Sequence, residues 1–256
     1  ELGMSSEFEK LTRIISALLS THESSVLTSS VGKARSTGCP YDRHRIELFE
    51  KLYDSLQSIH FPLVDNPYKT EQEYQLFAFF ESYFSNYIEG TQFELSEAKQ
   101  IVDTGVSIPM RREDSHDILG TYRLLSNRGE MQLVPKNEDE LIEILRYRHR
   151  IMLEERPQCT PGMFKARANQ AGDTVFVTPE LVEGTLRYGF RYYSALSSPL
   201  ARAIYMMFLC SEVHPFVDGN GRIARMMMNA ELSAGGVSRI IVPTVYREDY
   251  LLALRK

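Results

Sequence analysis

Cysteine is scarce: Cys39, Cys159 and Cys210 are the only three in 256 residues, and no CxxC pair occurs. So few and so scattered, they exclude a disulfide framework and a thiolate metal site, and they point to a reducing cytoplasm. Long apolar runs are lacking too. The longest, Ala203 to Cys210, falls far short of the roughly 20 residues that span a bilayer, and Arg202 closes it on one side, so no transmembrane helix is expected. No basic segment followed by an apolar one opens the chain, which argues against a signal peptide, and Glu1-Leu2-Gly3 ahead of Met4 is set aside as a remnant. Nor is there a surplus of positive charge. With 29 Lys and Arg against 34 Asp and Glu, a net charge of −5 makes nucleic acid an unlikely partner, and any anionic ligand must be met by a local cluster. What remains is ordinary: 43% hydrophobic and 25% charged residues exclude a disordered or collagen-like chain, and the length suits one or two domains with a sizeable core.

Organisation follows from periodicity. Phe8, Leu11, Ile14, Ile15 and Leu18 have the three-four spacing of a helix with one buried face, and Arg45 to Ile59 repeats it. Between them, 9 of the 18 residues from Ser20 to Thr37 are Ser or Thr, which predicts a loop or linker with little to bury. Thr70 and Glu73 have capping-box spacing, and the aromatic stripe Tyr74, Phe77, Phe80, Phe84 and Tyr87 predicts a helix ending at Gly90. Further helices fit Leu95 to Asp103, Asp114 to Leu125, Asn137 to about Glu155, Pro179 to Leu196, Ser198 to about Val213, and from Gly221 to Gly235-Gly236. The exception is Met163 to Val177, where alternation around Gln170-Ala171-Gly172-Asp173 predicts one hairpin. The fold expected is all-α: a helical bundle with one short β-hairpin and an N-terminal helical extension.

Chemistry concentrates in His214-Pro215-Phe216-Val217-Asp218-Gly219-Asn220-Gly221-Arg222-Ile223-Ala224-Arg225, which joins two predicted helices. Gly219 and Gly221 allow close backbone approach and leave free N–H groups at a helix start, where the dipole adds roughly half a positive charge. Arg222 and Arg225, three residues apart, share one side of that helix and add guanidinium forks suited to phosphate. Two cations there oppose the dipole, so an anion or carboxylate partner is expected, and a polyphosphate would satisfy every donor. Asp218 in so positive a site makes most sense carrying a magnesium ion shared with phosphates, and His214 can act as general base toward a hydroxyl. Gly219 to Ala224 also fits the dinucleotide fingerprint GxGxxG/A, but the preceding stretch is short, polar and broken by proline where that motif needs a buried strand.

These twelve residues match at every fixed position the HxFx(D/E)GNGRxxR signature of the Fic family. The resemblance extends over roughly Gln72 to Leu254, with Ile240 to Tyr250 similar to the stretch after the motif helix and Pro161-Gly162 opening a hairpin that resembles the family's flap. It implies a protein adenylyltransferase that moves AMP from ATP to a Ser, Thr or Tyr hydroxyl of a target protein. His214 would deprotonate the acceptor and Asp218 would hold Mg2+ on the α- and β-phosphates. The Gly219-Asn220-Gly221 turn would bind phosphate oxygens, Arg222 the β-phosphate and Arg225 the γ-phosphate, with Phe216 packing beneath the loop.

Upstream, Ser85-Asn86-Tyr87-Ile88-Glu89-Gly90 resembles the family's inhibitory motif (S/T)xxxE(G/N), as in the class with an N-terminal inhibitory helix. Read from the residues alone, Ser85 and Glu89 are an i,i+4 pair on a helix face. Glu89 falls in the last turn, where exposed carbonyls disfavour an anion and a cationic partner is expected. The resemblance names Arg225 as that partner, and autoinhibition as the consequence. The flap would pair with an extended target segment by strand addition, and Lys165 stands there where the family often has arginine.

On this reading residues 1–66 form the N-terminal extension with its linker, and 67–256 the Fic domain, with the inhibitory helix at about 70–90. A homodimer is compatible with it, and a further C-terminal region is expected beyond Leu254-Arg255-Lys256. The alternatives are another donor (phosphate, UMP or phosphocholine), AMP removal, or a catalytically silent binding protein. His60, His116 and His149 lack paired metal-ligand spacing, Met226-Met227-Met228 reads as helix packing, and Arg146, Arg148 and Arg150 as a solvated face.

Overall fold

In a computed structural model, the described residues are 4–19, 27–62 and 64–254; Glu1 to Gly3, Ser20 to Val26, Leu63 and Arg255-Lys256 fall outside them. Among these residues the chain forms twelve α-helices and one two-stranded antiparallel hairpin. In order they are α1 (Ser5–Leu18), α2 (Ser30–Ser36), α3 (Arg43–Gln57), α4 (Glu71–Ile88), α5 (Leu95–Thr104), α6 (Arg112–Leu125), α7 (Arg128–Met131) and α8 (Glu138–Met152). The hairpin strands β1 (Gln170–Ala171) and β2 (Thr174–Val175) follow, then α9 (Val182–Ser194), α10 (Pro199–Val213), α11 (Asn220–Ala234) and α12 (Arg247–Leu254). No helix among them is long and apolar enough to cross a membrane.

Local signals fix several boundaries. Thr70 and Glu73 form the expected capping box, each side chain satisfying the other's backbone N–H at the start of α4. Asn137 caps α8 through the Glu140 amide, and Pro199 occupies the first turn of α10. Helices α10 and α11 pack as an antiparallel pair at the centre, with Tyr205, Met206, Leu209, Val213, Ile223, Ala224 and Met227 buried between them and α3, α8 and α9. A second cluster, built on Phe79, Phe93, Ile101, Ile118 and Leu119, fastens α4 and α5 to α6.

Four expectations change. Helix α1 forms and meets α2, but Phe8, Leu11 and Ile15 are exposed, Ile14 is half-buried and only Ala17 is buried, so most of its apolar stripe stays uncovered among the described residues. The Ser/Thr-rich segment contains α2, because Ser29 caps it through the Gly32 amide and Val31 and Ala34 pack on the core. The paired part of the hairpin is shorter than predicted: the Lys165 amide bonds Pro215 O and the Asn169 amide group bonds Phe216 O, so that leg is stitched to the loop after α10 and reaches the other leg outside the strands through the Phe176 amide on Asn169 O. Arg148 is fully buried, bonding the Glu130 carboxylate and the Glu130 and Leu133 carbonyls. Residues two apart on a helix point in roughly opposite directions, so Arg148 could not share a solvated face with Arg146 and Arg150.

Candidate active site

The loop from α10 to α11 is shaped by two left-handed residues. His214, at φ 51°, stops α10, and Gly219, at φ 76°, precedes the first turn of α11. A non-glycine residue in this region costs on the order of 1–2 kcal/mol, and it turns the imidazole away from the helix axis. At Gly219 a Cβ would also lie 2.7 Å from Met152 Cε, so only glycine fits. Asn220 uses both ends of its amide inside the loop: Oδ1 accepts from the Phe216 amide at 2.8 Å, and Nδ2 donates to Phe216 O at 2.9 Å. Phe216 is wholly buried beneath, stacked on the His149 ring at 3.8 Å.

His214 is half-buried with Nδ1 3.4 Å from Ser211 O, an acceptor, which places the proton on Nδ1 and leaves a lone pair on Nε2. Phe176, just after β2, stacks on its other face at 3.7 Å and 8°. Burial lowers the imidazole pKa to about 4, opposed by the Ser211 carbonyl and reinforced by Lys165. Lys165 is itself buried, and burial with nearby Arg45 lowers its ammonium to about 8.

The two motif guanidiniums have different surroundings. Arg222 is 2% exposed and turns inward, with Nη1 bonding Asp117 Oδ2 at 2.7 Å and Asn86 Oδ1 at 3.1 Å; its Nη2 lies 3.5 Å from Asp218 Oδ2. Arg225 is held by α4: Nε donates to Ser85 Oγ at 3.0 Å, while Nη2 donates to Ser85 O at 2.9 Å and to Glu89 Oε1 at 2.6 Å. Burial works against the Arg225 charge, but Glu89 and Tyr250 more than offset it and hold its pKa above the ordinary value. The Glu89 carboxylate also lies against the start of α11, where a Cβ on Gly221 would come 2.2 Å from Oε1. Both cations therefore have the carboxylate partners that their position against the helix dipole demands. Ser85 and Glu89 turn toward Arg225, not toward each other.

Asp218 is half exposed, its Oδ1 accepting from the Gly219 amide at 2.6 Å and its Oδ2 facing Arg222. Glu89, Phe176, His214, Gly221, Arg225 and Tyr250 line one cavity of about 210 Å³. Among the described residues no cluster of three or more His, Cys, Asp or Glu could hold a metal by itself.

Three contributors were not foreseen. Phe176 and Tyr250 are single aromatics in a chain rich in them. His149 accepts the Gly162 amide on Nδ1 at 2.9 Å, so Nε2 is protonated and donates to Asp218 O at 3.1 Å. It ties α8 to the flap entry and the loop, and burial lowers its pKa to about 4. Spacing suited to a metal was the wrong test for it, because its partners are backbone groups far away in sequence.

A family model described as Fic/DOC family matches residues 139–232. Among curated relatives, Protein adenylyltransferase Fic of Nematostella vectensis is 30% identical over 177 residues, covering 66% of this chain and 40% of the relative. That of Drosophila persimilis is 26% identical over 213 residues, covering 82% and 41%. The chain thus spans about two fifths of the length of the curated relatives it matches. Among solved structures, a Fic domain containing signaling protein from Bacteroides thetaiotaomicron aligns with a TM-score of 0.60 at 21% identity, over 82% of this chain and 80% of that one. Fic-1 of Caenorhabditis elegans aligns with a TM-score of 0.60 at 20% identity, over 98% and 76%.

Proposed function

The chain belongs to the Fic/DOC family, and on that premise we propose that it is a protein adenylyltransferase, transferring AMP from ATP to a target hydroxyl and held back by its own helix α4. The observation that carries this reading is the juxtaposition, in one cavity, of a neutral imidazole, a helix N-terminus and a guanidinium occupied by Glu89. In the reaction, His214 Nε2 takes the proton of the acceptor hydroxyl as its oxygen bonds the α-phosphorus. The α–β bridging P–O bond breaks, and pyrophosphate leaves with the electron pair. The backbone N–H groups at the start of α11 bind phosphate oxygens, and the Asn220 amide holds the loop that presents them. Arg222 offers the β-phosphate its Nη2 edge, because Nη1 is committed to Asp117. Arg225 is the γ-phosphate ligand. Positioning and charge, more than covalent chemistry, supply catalysis of this kind.

Asp218 suits a magnesium ion carried on the nucleotide: it is a half-exposed hard oxygen donor at the mouth of the phosphate cradle, and magnesium takes one or two carboxylates beside phosphate oxygens. Bound there, the ion would neutralise charge on the leaving pyrophosphate. Glu89 is the brake. While its carboxylate lies on Arg225 and against Gly221, a γ-phosphate meets an anion where it needs a cation, with Ser85 fixing the guanidinium in that pairing.

The test is Mg2+-dependent incorporation of label from α-labelled and γ-labelled ATP into the protein itself, with His214→Ala as control. Label from the α-position alone, lost in His214→Ala, is expected. Label from the γ-position would mean phosphate transfer, and label that survives His214→Ala would remove the base from the mechanism.

A further inference from the structure

Helix α3 lies about 170 residues before the catalytic loop in sequence, yet one of its side chains reaches both walls of the His214 pocket. Arg45 is 9% exposed. Its Nη1 pairs with Glu212, two residues before His214 on α10, and its Nη2 donates to Val175 O at 2.7 Å, one residue before Phe176 on the flap. The two residues so fastened flank the stacked pair: Phe176 lies on His214 at 3.7 Å. A single planar guanidinium thus ties the strand that covers the imidazole to the helix that carries it, and the fork spans two acceptors as a lysine ammonium cannot.

The platform that carries Arg45 is rigid. Phe49, one turn further along α3, is fully buried with edge-on contacts to Tyr205 and Phe208 of α10. The chain entering α3 runs hard against α9, where a Cβ on Gly184 would lie 2.0 Å from Pro40 O, and the Asp42 amide donates to Thr185 Oγ1 at 2.9 Å. The flap itself has no such support: β1 and β2 pair over two residues each, and both strands face solvent or are half-buried. Two-residue strands do not hold a hairpin in place unaided, so its position over His214 depends on outside attachments. Those are the Lys165 and Asn169 bonds to the loop on the first leg and, on the second, Arg45 together with Val177, which is buried in the core.

We propose that Arg45 is a positioning residue for the proposed transfer reaction, setting the flap edge over His214 by clamping Val175 and Glu212 together. It touches no reacting atom. This rests on the proposed function only for its consequence in catalysis; the clamp itself is a statement about the flap and the imidazole. Without it, Phe176 lifts from His214, the imidazole meets water, and an acceptor segment lying along the flap loses its fixed distance to Nε2.

The experiment uses the full chain carrying Glu89→Gly, alone and combined with Arg45→Met/Glu212→Gln, a change that removes both charges together and leaves no buried ion without a partner. Three quantities are read. Hydrogen exchange of the amides of residues 170–177 is expected to speed at least tenfold, with the α11 amides unchanged. The NMR titration midpoint of the His214 ring is expected to rise from its depressed value in the Glu89→Gly parent toward the ordinary 6.5 as burial is relieved. Of the other charged or titratable groups around the imidazole, Glu89 is absent from both proteins compared, Asp218 of the loop, Arg225 of α11 and Tyr250 of α12 are kept, and Lys165 of the flap is kept but freed of the nearby Arg45 charge. Label from α-labelled ATP is expected to fall at least tenfold while the dissociation constant for Mg-ATP changes less than twofold. If the double replacement fails to unfold cooperatively, Arg45→Lys, which keeps the Glu212 charge paired and gives up Val175 O, is read in its place. Unchanged flap exchange or an unchanged His214 midpoint overturns the clamp whatever the activity. No label in either protein, with exchange and midpoint both moved, contradicts the transfer reaction and leaves the clamp standing.

Discussion

Helices α3 and α4 both precede the loop between α10 and α11 in the chain, and each sends a charged side chain to the edge of the His214 cavity, with opposite sign. From α4, the Glu89 carboxylate meets Arg225; from α3, the Arg45 guanidinium meets Glu212 and the Val175 carbonyl. Their surroundings differ. The Arg45 and Glu212 side chains are 11% and 9% exposed, whereas Glu89 is 31% exposed beside an Arg225 that is 6% exposed. A pair sealed from water on both sides is a fixture, because removing either partner strands a charge. A pair with one wet member can open, because water receives the carboxylate, while Arg225 keeps both Ser85 acceptors and Tyr250. On the proposed function, the same chemistry would make a clamp beside the base and a latch over the phosphate site.

The largest expected effect tests what the two grips surround. In a Glu89→Gly background, His214→Ala is expected to lower AMP transfer about 10³-fold with Mg-ATP affinity unchanged, as loss of a general base does; a loss under tenfold would leave the imidazole without that role. The contrast between fixture and latch is read next from denaturant unfolding. Glu212→Ala, which strands Arg45, is expected to cost about 3 kcal/mol, and Glu89→Ala about 1 kcal/mol. Equal costs would erase the distinction.

A smaller effect changes sign. A Cβ at position 221 collides with Glu89 Oε1, so Gly221→Ala in the native chain is expected to cost about 1–2 kcal/mol. With Glu89→Gly already present, the better helix propensity of alanine is expected to make it neutral or stabilising by up to about 1 kcal/mol. Additive costs in that double-mutant cycle would mean the carboxylate does not occupy the start of α11. A further effect is in pH. Burial holds His149 and His214 near 4 in the fold, below their ordinary value of about 6.5, so the unfolded chain takes up those protons first. Their contribution to stability is complete above about pH 6.5 and is lost as pH falls toward 4, which a series of thermal unfolding curves would show. Over the same interval His214 stays neutral in the fold, so transfer by the Glu89→Gly protein is not expected to lose its base until pH nears 4.

The need of Glu89 and of Arg225 for a charged partner was legible in the sequence, their pairing came from the family resemblance, and the contacts of Arg45 were not legible, for physical reasons. Glu89 lies at the end of a helix, where an acid without a cation is anomalous, and Arg225 lies near the start of one, where a base without an anion is also disfavoured. Each announced a missing partner. Arg45 announced nothing: it sits between apolar positions on α3 like any solvated arginine, and its acceptors are a glutamate far along the chain and a main-chain carbonyl. Helix placement was readable from periodicity and caps, as at Thr70, Asn137 and Pro199. Periodicity could not tell that the α1 stripe would stay exposed, since it reports that a face is apolar and not what covers it. Within the loop, the turn glycines spoke for themselves, while the inward commitments of Asn220 and Arg222 depend on Phe216, Asp117 and Asn86, which only the fold brings near.

The account turns on whether Glu89 holds Arg225 away from ATP, and the most direct measurement is the rate of α-label incorporation at saturating Mg-ATP in the native chain and in Glu89→Gly. Releasing a charge-assisted bond of about 1.5–3 kcal/mol corresponds to roughly 10- to 100-fold, so a rise of that size is expected, together with tighter binding of ATP relative to ADP as the γ-phosphate gains Arg225. Equal rates and an unchanged ATP-to-ADP preference in the two proteins would contradict it.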